Sequence, residues 1–258
     1  MRNWNWFPDM SQATADLASQ TAPPADCPDC TVCLSVRNWE GPDAQELLEH
    51  MVRSRVEDAL REQGLYPSDP RTVPLGVSAR HVHLSSEHVE ALFGPGTKLR
   101  PKRWLYQPGE FATENTVSVV SPSGRVMERV RILGPERKRT QIEISRTDAV
   151  SIRMNVPMRN SGDLDDSPSV TLVGPAGVVR TDGVIRAARH IHCSPEQAAA
   201  FGLSSNGVVA VRIPGPEGIT FPEVLVRAHP GHKLIVHLDT DDANAAGVNC
   251  VTHGVVLV

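Results

Sequence analysis

A seven-residue pattern that contains two histidines occurs twice in this chain. It reads Ala79-Arg-His-Val-His-Leu-Ser85 in the first copy and Ala188-Arg-His-Ile-His-Cys-Ser194 in the second. Both copies follow runs rich in β-branched residues, which predicts extended strands. Because alternate side chains of a strand point to the same face, the two imidazoles of each pair should face one side. Each copy is therefore half of a candidate metal site, and the repetition predicts a duplicated β fold.

The similarity between the two halves continues beyond the histidines. Ala-Leu-Phe93-Gly94 is matched by Ala-Ala-Phe201-Gly202, and the later strand-like segments align as Val130–Ile132 with Val226–Ala228 and as Gln141–Ile144 with Ile235–Leu238. The last of these alignments places a further metal donor in each half. The two candidate triads are His81, His83 and Glu143, and His190, His192 and His237.

Three protein ligands leave one coordination position open, which is typical of catalytic rather than structural zinc. Imidazole and carboxylate donors suit zinc, and they are too rich in nitrogen for calcium or magnesium. We therefore expect two zinc ions. Of the other histidines, His229, His232 and His253 fall in or near turns and are interpreted as surface or core residues, and Cys193 is interpreted as a buried thiol.

The chain before the first repeat divides into two segments. Residues 1–42 have no hydrophobic period and are interpreted as a mobile leader. In residues 43–66, apolar side chains recur at steps of three and four, which predicts an amphipathic helix. That helix either packs on the body or docks on another protein. The remainder is strand-like with many turns, so we expect a mainly β fold of two similar barrels, residues 73–183 and 184–258, capped by short helices.

Composition excludes several classes of function. The formal net charge is −4, and the acidic excess lies in the first 72 residues. The basic faces and aromatic platforms of nucleic-acid binders are missing, and so are a signal sequence and a membrane-spanning apolar run. We expect a cytoplasmic protein. Cys27, Cys30 and Cys33 have a metal-binding spacing without a nearby fourth ligand, so they either bind a metal or are incidental cysteines.

Five motifs in order along residues 73–247 resemble the PduL-type phosphate propanoyltransferases, the phosphotransacylases of bacterial microcompartments. They are Val77-Ser-Ala-Arg-His-Val-His-Leu-Ser85, Gln107-Pro-Gly-Glu-Phe-Ala112, Gly134-Pro-Glu-Arg-Lys-Arg-Thr-Gln-Ile-Glu-Ile-Ser-Arg-Thr-Asp148, Ala187-Ala-Arg-His-Ile-His192 and His237-Leu-Asp-Thr-Asp-Asp-Ala-Asn244. The resemblance implies two β-barrel domains, two metal ions, usually zinc, and the reaction of acyl-CoA with phosphate to give acyl phosphate and CoA. The same six residues are implied as the metal ligands.

The resemblance also implies roles for residues outside the triads. Arg137 is implied as the phosphate-binding residue, and a planar guanidinium suits a tetrahedral oxyanion. Ser78, Arg131 and Asn244 are implied to contact CoA. Members of the family carry N-terminal amphipathic segments that direct them to the microcompartment lumen, and residues 43–64 fit that description, with shell or cargo proteins as partners.

Two other functions remain open from the sequence. A binuclear zinc hydrolase would attack an ester or thioester with metal-bound water. A noncatalytic scaffold would use the metal sites only to join the barrels. Direct acyl transfer to phosphate without an acyl-enzyme is the favoured hypothesis, because no Cys or Ser in the motifs has an evident adjacent base.

Overall fold

The computed structural model describes residues 69, 71–215, 217–248 and 253–257. The predicted leader, the predicted amphipathic helix and Cys27, Cys30 and Cys33 lie outside these residues. Within them the fold is mainly β with four short helices, which confirms the fold class predicted from the sequence. No helix among the described residues is both long and apolar enough to cross a membrane.

The strands follow one another with helices after four of them. The strands are β1 (Thr72–Ser78), β2 (His81–His83), β3 (Arg103–Trp104), β4 (Phe111–Val120), β5 (Val126–Gly134), β6 (Gln141–Glu143), β7 (Met158–Arg159), β8 (Val170–Val173), β9 (Val178–Thr181), β10 (Val184–Ala187), β11 (His190–Cys193), β12 (Val208–Arg212), β13 (Thr220–Ala228), β14 (Ile235–Asp239) and β15 (His253–Leu257). The helices are α1 (Ser86–Phe93), α2 (Arg146–Ser151), α3 (Pro195–Ala200) and α4 (Thr240–Ala245).

The strands form two sheets, of which one closes into a barrel. The closed barrel has the order β1-β14-β11-β13-β12-β15. The other sheet has nine strands in the order β7-β10-β6-β2-β5-β4-β8-β9, with β3 paired to β4. The pairing around each His-x-His strand is the same in both. Strand β2 is parallel to β5 and antiparallel to β6, and β11 is parallel to β13 and antiparallel to β14. This equivalence supports the duplication.

One strand of each half pairs with the sheet of the other half. Strand β1 precedes the first His-x-His pair but is parallel to β14 in the closed barrel. Strand β10 precedes the second pair but is parallel to β6 in the nine-stranded sheet. The sequence pattern suggested one continuous strand up to each histidine pair, and the structure interrupts that strand. At Ala79 and at Ala188 the chain passes from one sheet to the other, so the two sheets are linked by both crossings.

The structure changes the alignment of the two halves by two residues at one place. Arg129 and Glu223 both have positive φ, 54° and 55°, and each lies two residues before the strand partner of the first histidine. That partner is Arg131 opposite His81, and Leu225 opposite His190. Arg131 therefore corresponds to Leu225. The sequence alignment of Val130–Ile132 with Val226–Ala228 is wrong. It matched the Val-Arg dipeptide that both segments contain, and the shorter middle part of the second half left the true spacing undetermined.

Two hydrophobic cores lie under the sheets. One contains Val82, Ile132, Ile142 and Leu172 of the nine-stranded sheet, and the other contains Ile191, Val226, Val236 and Leu238 of the closed barrel. In β2 and β11 the residue between the two histidines points into the core. The histidines themselves must therefore face away from it. Cys193 is fully buried in the second core, as predicted.

Each short helix is capped at its first turn by a serine or aspartate side chain. Ser85 and Ser194 accept hydrogen bonds from the backbone N–H groups of His88 and Gln197, and Gln197 completes a capping box. Helix α2 receives a second acceptor from the other half of the chain. The Asp241 carboxylate, from the first turn of α4, accepts a hydrogen bond from the Thr147 backbone N–H at 2.7 Å.

The Asp241 contact predicts a pH-dependent contribution to stability. Burial alone raises the pKa of Asp241, but the hydrogen bonds from Thr147 outweigh it and lower the pKa. A carboxyl whose pKa is depressed on folding stabilises the native state above its unfolded pKa of about 3.9, and the contribution is lost as pH falls through the folded value. We expect Asp241→Ala to lower the free energy of unfolding by about 1 kcal/mol at pH 7. Denaturant titrations should show this difference shrinking at pH 3. The exposed Asp163→Ala, which removes a surface pair with Arg159, is the control, and equal effects of the two substitutions would contradict the prediction.

Candidate metal centre and active-site cavity

The first candidate triad is assembled by antiparallel pairing of two strands. His81 in β2 lies directly opposite Glu143 in β6. His83 lies two residues further along β2, on the same face. One ligand atom from each residue lies within 4.8 Å of the others. His81 and His83 are buried, and the Glu143 side chain is 12% exposed.

The second candidate triad repeats this geometry in the closed barrel. His190 in β11 lies directly opposite His237 in β14, and His192 lies two residues further on. Here too, one ligand atom from each residue lies within 4.8 Å of the others. The structure therefore brings together both groups of three residues that the sequence repeat selected.

The hydrogen bonds of the first histidine in each pair fix which ring nitrogen is free. His81 Nδ1 lies 2.8 Å from the Ala79 carbonyl oxygen, and His190 Nδ1 lies 2.8 Å from the Ala188 carbonyl oxygen. A carbonyl only accepts, so both Nδ1 atoms carry hydrogen and donate. In the neutral form of each ring, Nε2 is then the lone-pair nitrogen, available to a metal. The two alanines are the residues where the chain crosses between sheets, so the crossing also orients the imidazole.

The second histidine of each pair presents the opposite nitrogen. In the described part of the chain, three buried side-chain nitrogens lack a hydrogen-bond partner, and two of them are His83 Nδ1 and His192 Nδ1. Leaving a buried polar atom unpaired costs about 1–3 kcal/mol. A metal ion bound at each triad would pair both atoms. The unpaired nitrogens are therefore evidence, independent of the sequence motif, that the residues present fit two metal ions.

The protonation states also favour metal binding. Burial lowers the pKa of His83 well below its usual value, and burial with the neighbouring His190 lowers the pKa of His192 to about 2 and that of His237 to about 4. Burial alone would raise the pKa of Glu143, but the attraction and hydrogen bond of His81 hold it below its ordinary range. His81 is the exception: burial alone would lower its pKa, but the Glu143 carboxylate and the Ala79 carbonyl outweigh burial and raise it. At neutral pH the other imidazoles are thus neutral and Glu143 is a carboxylate, the forms that ligate metals. A metal bound at the first triad would replace the proton that His81 shares with Glu143.

Both triads face one cavity of about 590 Å³. All six triad residues line it, together with three of the residues implied by the family resemblance, Ser78, Arg131 and Arg137. Arg131 is held in place by hydrogen bonds from Nη1 to the carbonyl oxygens of Thr113 and Glu114. Asn244 lies on α4 and is not among the residues that line this cavity. The structure therefore groups three of these four residues with the metal triads.

A polar network connects Arg137 to the first triad. Arg137 Nη1 donates to Ser161 Oγ at 3.1 Å, and Arg137 Nη2 lies 3.8 Å from Glu110 Oε1. Gln141 Nε2 donates to the same Ser161 oxygen at 2.8 Å and also to Glu143, and Gly162 N–H donates to Gln141 Oε1. Gln141 is fully buried, so its amide fixes the orientation of the Glu143 carboxylate. The corresponding residue of the second half is Ile235, which has no such role.

Several cavity residues were not identified from the sequence. His232 was interpreted as a surface or core histidine, but it lines the cavity, and its ring centroid lies 4.2 Å from that of His192. Ser161 and Arg227 also line it. Ser161 and His232 lie in loops without periodic pattern, so only tertiary structure could place them. Arg227 carried a signal, its Val-Arg dipeptide, but the alignment assigned it to the wrong strand position.

The arginine before each histidine pair explains part of the repeated motif. Arg189 makes two hydrogen bonds to Asp242, from Nε at 2.6 Å and from Nη2 at 2.7 Å. Arg80 makes a single hydrogen bond to Asp148, from Nη1. Each pair joins the His-x-His segment to the helix that follows the third donor. The arginines therefore help to hold the ligand-bearing strands in register.

Gly76 lies directly opposite His237 across β1 and β14 and leaves space for its ring. A Cβ atom at this position would lie 2.8 Å from His237 Cδ2 and 2.8 Å from Ile235 Cδ1. We expect Gly76→Ala to displace the imidazole and to weaken metal binding at the second triad about 10- to 100-fold. Competition with a chelator, followed by metal analysis, measures this. Gly231→Ala, whose Cβ would lie 3.4 Å from the nearest atom, should retain its metal. Full retention by Gly76→Ala would show that the ring has room to move.

Comparison with known proteins identifies relatives over most of the chain. A family model described as phosphate propanoyltransferase matches residues 74–249. A phosphate propanoyltransferase of Thermotoga maritima is 44% identical over 202 residues, 78% of this chain and 92% of the relative. One from Planctopirus limnophila is 40% identical over 220 residues, 83% and 90% of the two chains. One from Shewanella putrefaciens is 50% identical over 181 residues, 69% and 85%.

Proposed function

The chain belongs to the phosphate propanoyltransferase family, and on that premise we propose that it transfers a short acyl group between CoA and phosphate in the cavity between the two triads. The reaction is acyl-CoA plus phosphate to acyl phosphate plus CoA. The observation that carries the proposal is the single cavity that both triads and Arg137 line. It offers two metal positions and a cation for phosphate next to one another.

We assign the metal ions as zinc, held by His81, His83 and Glu143 and by His190, His192 and His237. Neutral imidazoles with one carboxylate are donors that zinc prefers. A bound zinc ion supplies Lewis acidity, which polarises a thioester carbonyl and stabilises a thiolate. We assign the metal of the Glu143 triad to the sulfur atom of CoA. The two donor sets differ in charge, since the first contains a carboxylate and the second contains only imidazoles.

The residues of the chain supply position and charge. Arg137, half enclosed by the cavity and oriented by Ser161, grips the phosphate and holds one oxygen toward the thioester carbon. A phosphate oxygen forms the new bond to that carbon, the carbon–sulfur bond breaks, and the sulfur leaves with its electron pair as CoA thiolate. Burial lowers the pKa of Arg137, but the carboxylates of Glu143 and Glu110 oppose this effect and keep the guanidinium charged.

The transfer is direct, without an acyl-enzyme. Cys193 is buried in the core behind His192, and burial raises the pKa of its thiol, so it is neither accessible nor ionised. Ser161 Oγ accepts hydrogen bonds from Arg137 and Gln141, which are donors and cannot activate it as a base would. Ser78 and Arg131 are assigned to CoA from their place in the cavity, and Asn244 from the family resemblance alone.

The amphipathic segment at residues 43–64 is proposed as the contact to microcompartment shell or cargo proteins. The support is its sequence pattern, with apolar residues at three- and four-residue steps. Removal of residues 1–66 should then abolish co-purification with shells while the acyltransferase activity is retained. Unchanged co-purification would assign the segment to packing on the body.

The test of the proposed function is thiol release from acetyl-, propanoyl- and longer acyl-CoA with and without phosphate. We expect release to require phosphate and acyl phosphate to appear in equal amount, trapped as a hydroxamate. Release without phosphate, with free acid as product, would assign the chain as a binuclear zinc hydrolase. No release under either condition, with metal bound, would favour a scaffold role.

A further inference from the structure

Arg227 points into the active-site cavity from the closed barrel. It lies on β13 directly opposite His192 of the parallel strand β11. Residues that face one another on adjacent strands project from the same side of the sheet. His192 faces the cavity, so Arg227 does too, and it is among the residues that line it.

The Arg227 guanidinium has no hydrogen-bond or ion-pair partner among residues 69, 71–215, 217–248 and 253–257. Among the other arginines that line the cavity in the described part of the chain, the exposed Arg103 on β3 also has no such partner. The remaining ones are engaged, Arg80 with Asp148 among them. Arg131 binds two backbone carbonyls, Arg137 binds Ser161, and Arg189 binds Asp242. A half-buried charge that is not used to hold the fold together is available for a ligand.

The charge of Arg227 acts on the centre of the site. Together with burial, its repulsion lowers the pKa of Arg137, which lines the same cavity. Arg137, from the segment between β5 and β6, and Arg227, from β13, therefore direct two positive charges into one cavity. An anion between them would relieve that repulsion and would gain charge-assisted hydrogen bonds from both.

The two halves of the chain are not equivalent at this position. In the corrected alignment Leu133 corresponds to Arg227, and Leu133 also lines the cavity. The second half thus places a cation at a position where the first half places an apolar side chain. The repeat of the fold alone therefore does not account for Arg227.

From these observations the geometry points to Arg227 as a second anion-binding residue, which holds the phosphate substrate together with Arg137. The inference rests on the proposed function. Two guanidinium groups match the two negative charges of hydrogen phosphate. The phosphate groups of CoA have the same chemistry, but the pantetheine arm separates them from the thiol. When the thiol is at the metal triads, the phosphate groups of CoA therefore lie away from His192.

The experiment compares Arg227→Gln and Arg227→Lys with Arg212→Gln, a matched arginine that is exposed on the neighbouring strand β12 and does not line the cavity. We expect the KM for phosphate of Arg227→Gln to rise about 10- to 100-fold. The KM for propanoyl-CoA should change less than threefold, and Arg227→Lys should recover part of the loss. Metal content and melting temperature should match those of Arg212→Gln.

A higher KM for propanoyl-CoA with an unchanged KM for phosphate would overturn the inference and assign Arg227 to the phosphates of CoA. Kinetics equal to those of Arg212→Gln would overturn it as well. Calorimetric titration of inorganic phosphate into the metal-loaded protein tests the role of Arg227 in phosphate binding separately from the proposed acyl transfer. If the wild type has no phosphate-dependent turnover, weaker phosphate binding by Arg227→Gln than by the wild type would still support the inference. Equal phosphate binding by the two proteins would reject it.

Discussion

Replacement of Arg137 by alanine is expected to lower phosphate-dependent release of CoA thiol by about 10²–10³-fold while leaving the metal content unchanged. The guanidinium is held by Ser161 and by the Glu110 carboxylate rather than by a triad residue, so its loss removes no candidate ligand. Without it the phosphate would have to enter a cavity that contains the Glu143 carboxylate, and it would lose both its charge partner and its orientation.

The same loop provides a matched control for this prediction. Arg139 lies two residues after Arg137, but it forms ion pairs with Asp165 and Asp182 at the surface and does not line the cavity. Arg139→Gln should keep full turnover. Steady-state kinetics at varied phosphate, with metal analysis of each protein, test the pair. Turnover of Arg137→Ala that recovers fully at saturating phosphate would limit the residue to binding, and unchanged kinetics would remove it from the site.

The double substitution His190→Ala/His192→Ala should reduce the bound metal from about two equivalents to about one. The second triad would retain only His237, and a single imidazole does not hold zinc against dialysis. The first triad is built on β2 and β6 of the other sheet and keeps its three donors. Activity should fall below detection, because one of the two metals that the proposed reaction uses is lost.

His253→Ala is the control for the double substitution. His253 begins β15 in the same barrel and is not among the residues that line the cavity. Elemental analysis after dialysis, with circular dichroism as a check of the fold, gives the outcome. Loss of both metals would show that the triads are coupled. Retention of both would show that His190 and His192 are not ligands.

The composition of the triads could be deduced from sequence because duplication supplied an internal comparison. A single His-x-His pair predicts only a face of a strand, but two aligned copies also placed the third donors, Glu143 and His237. Capping signals such as Ser85 and Ser194 were equally readable, because a cap involves residues within one turn of the helix. All of these features are either local in the sequence or can be found by comparing the two copies of the repeat.

Contacts between distant segments could not be deduced in this way. The exchange of β1 and β10 between the sheets reverses what a continuous strand pattern suggests, because hydrogen-bonding partners of a strand are not encoded in its own periodicity. The position of Arg227 could not be deduced either, because the two strands that both contain Val-Arg align with a shift of two residues. Ser161 and His232 come from loops, where no period relates sequence to direction.

The sequence by itself determined the mainly β class, the duplication and the two sets of candidate metal donors, since strand alternation and the repeated motif require nothing beyond local geometry. Only the tertiary structure decided that both triads share one cavity, that each histidine pair offers one Nε2 and one buried Nδ1, and that Arg137 and Arg227 both line this cavity. The reason is physical: the cavity is formed where the chain crosses between sheets, and those crossings are fixed by long-range strand pairing.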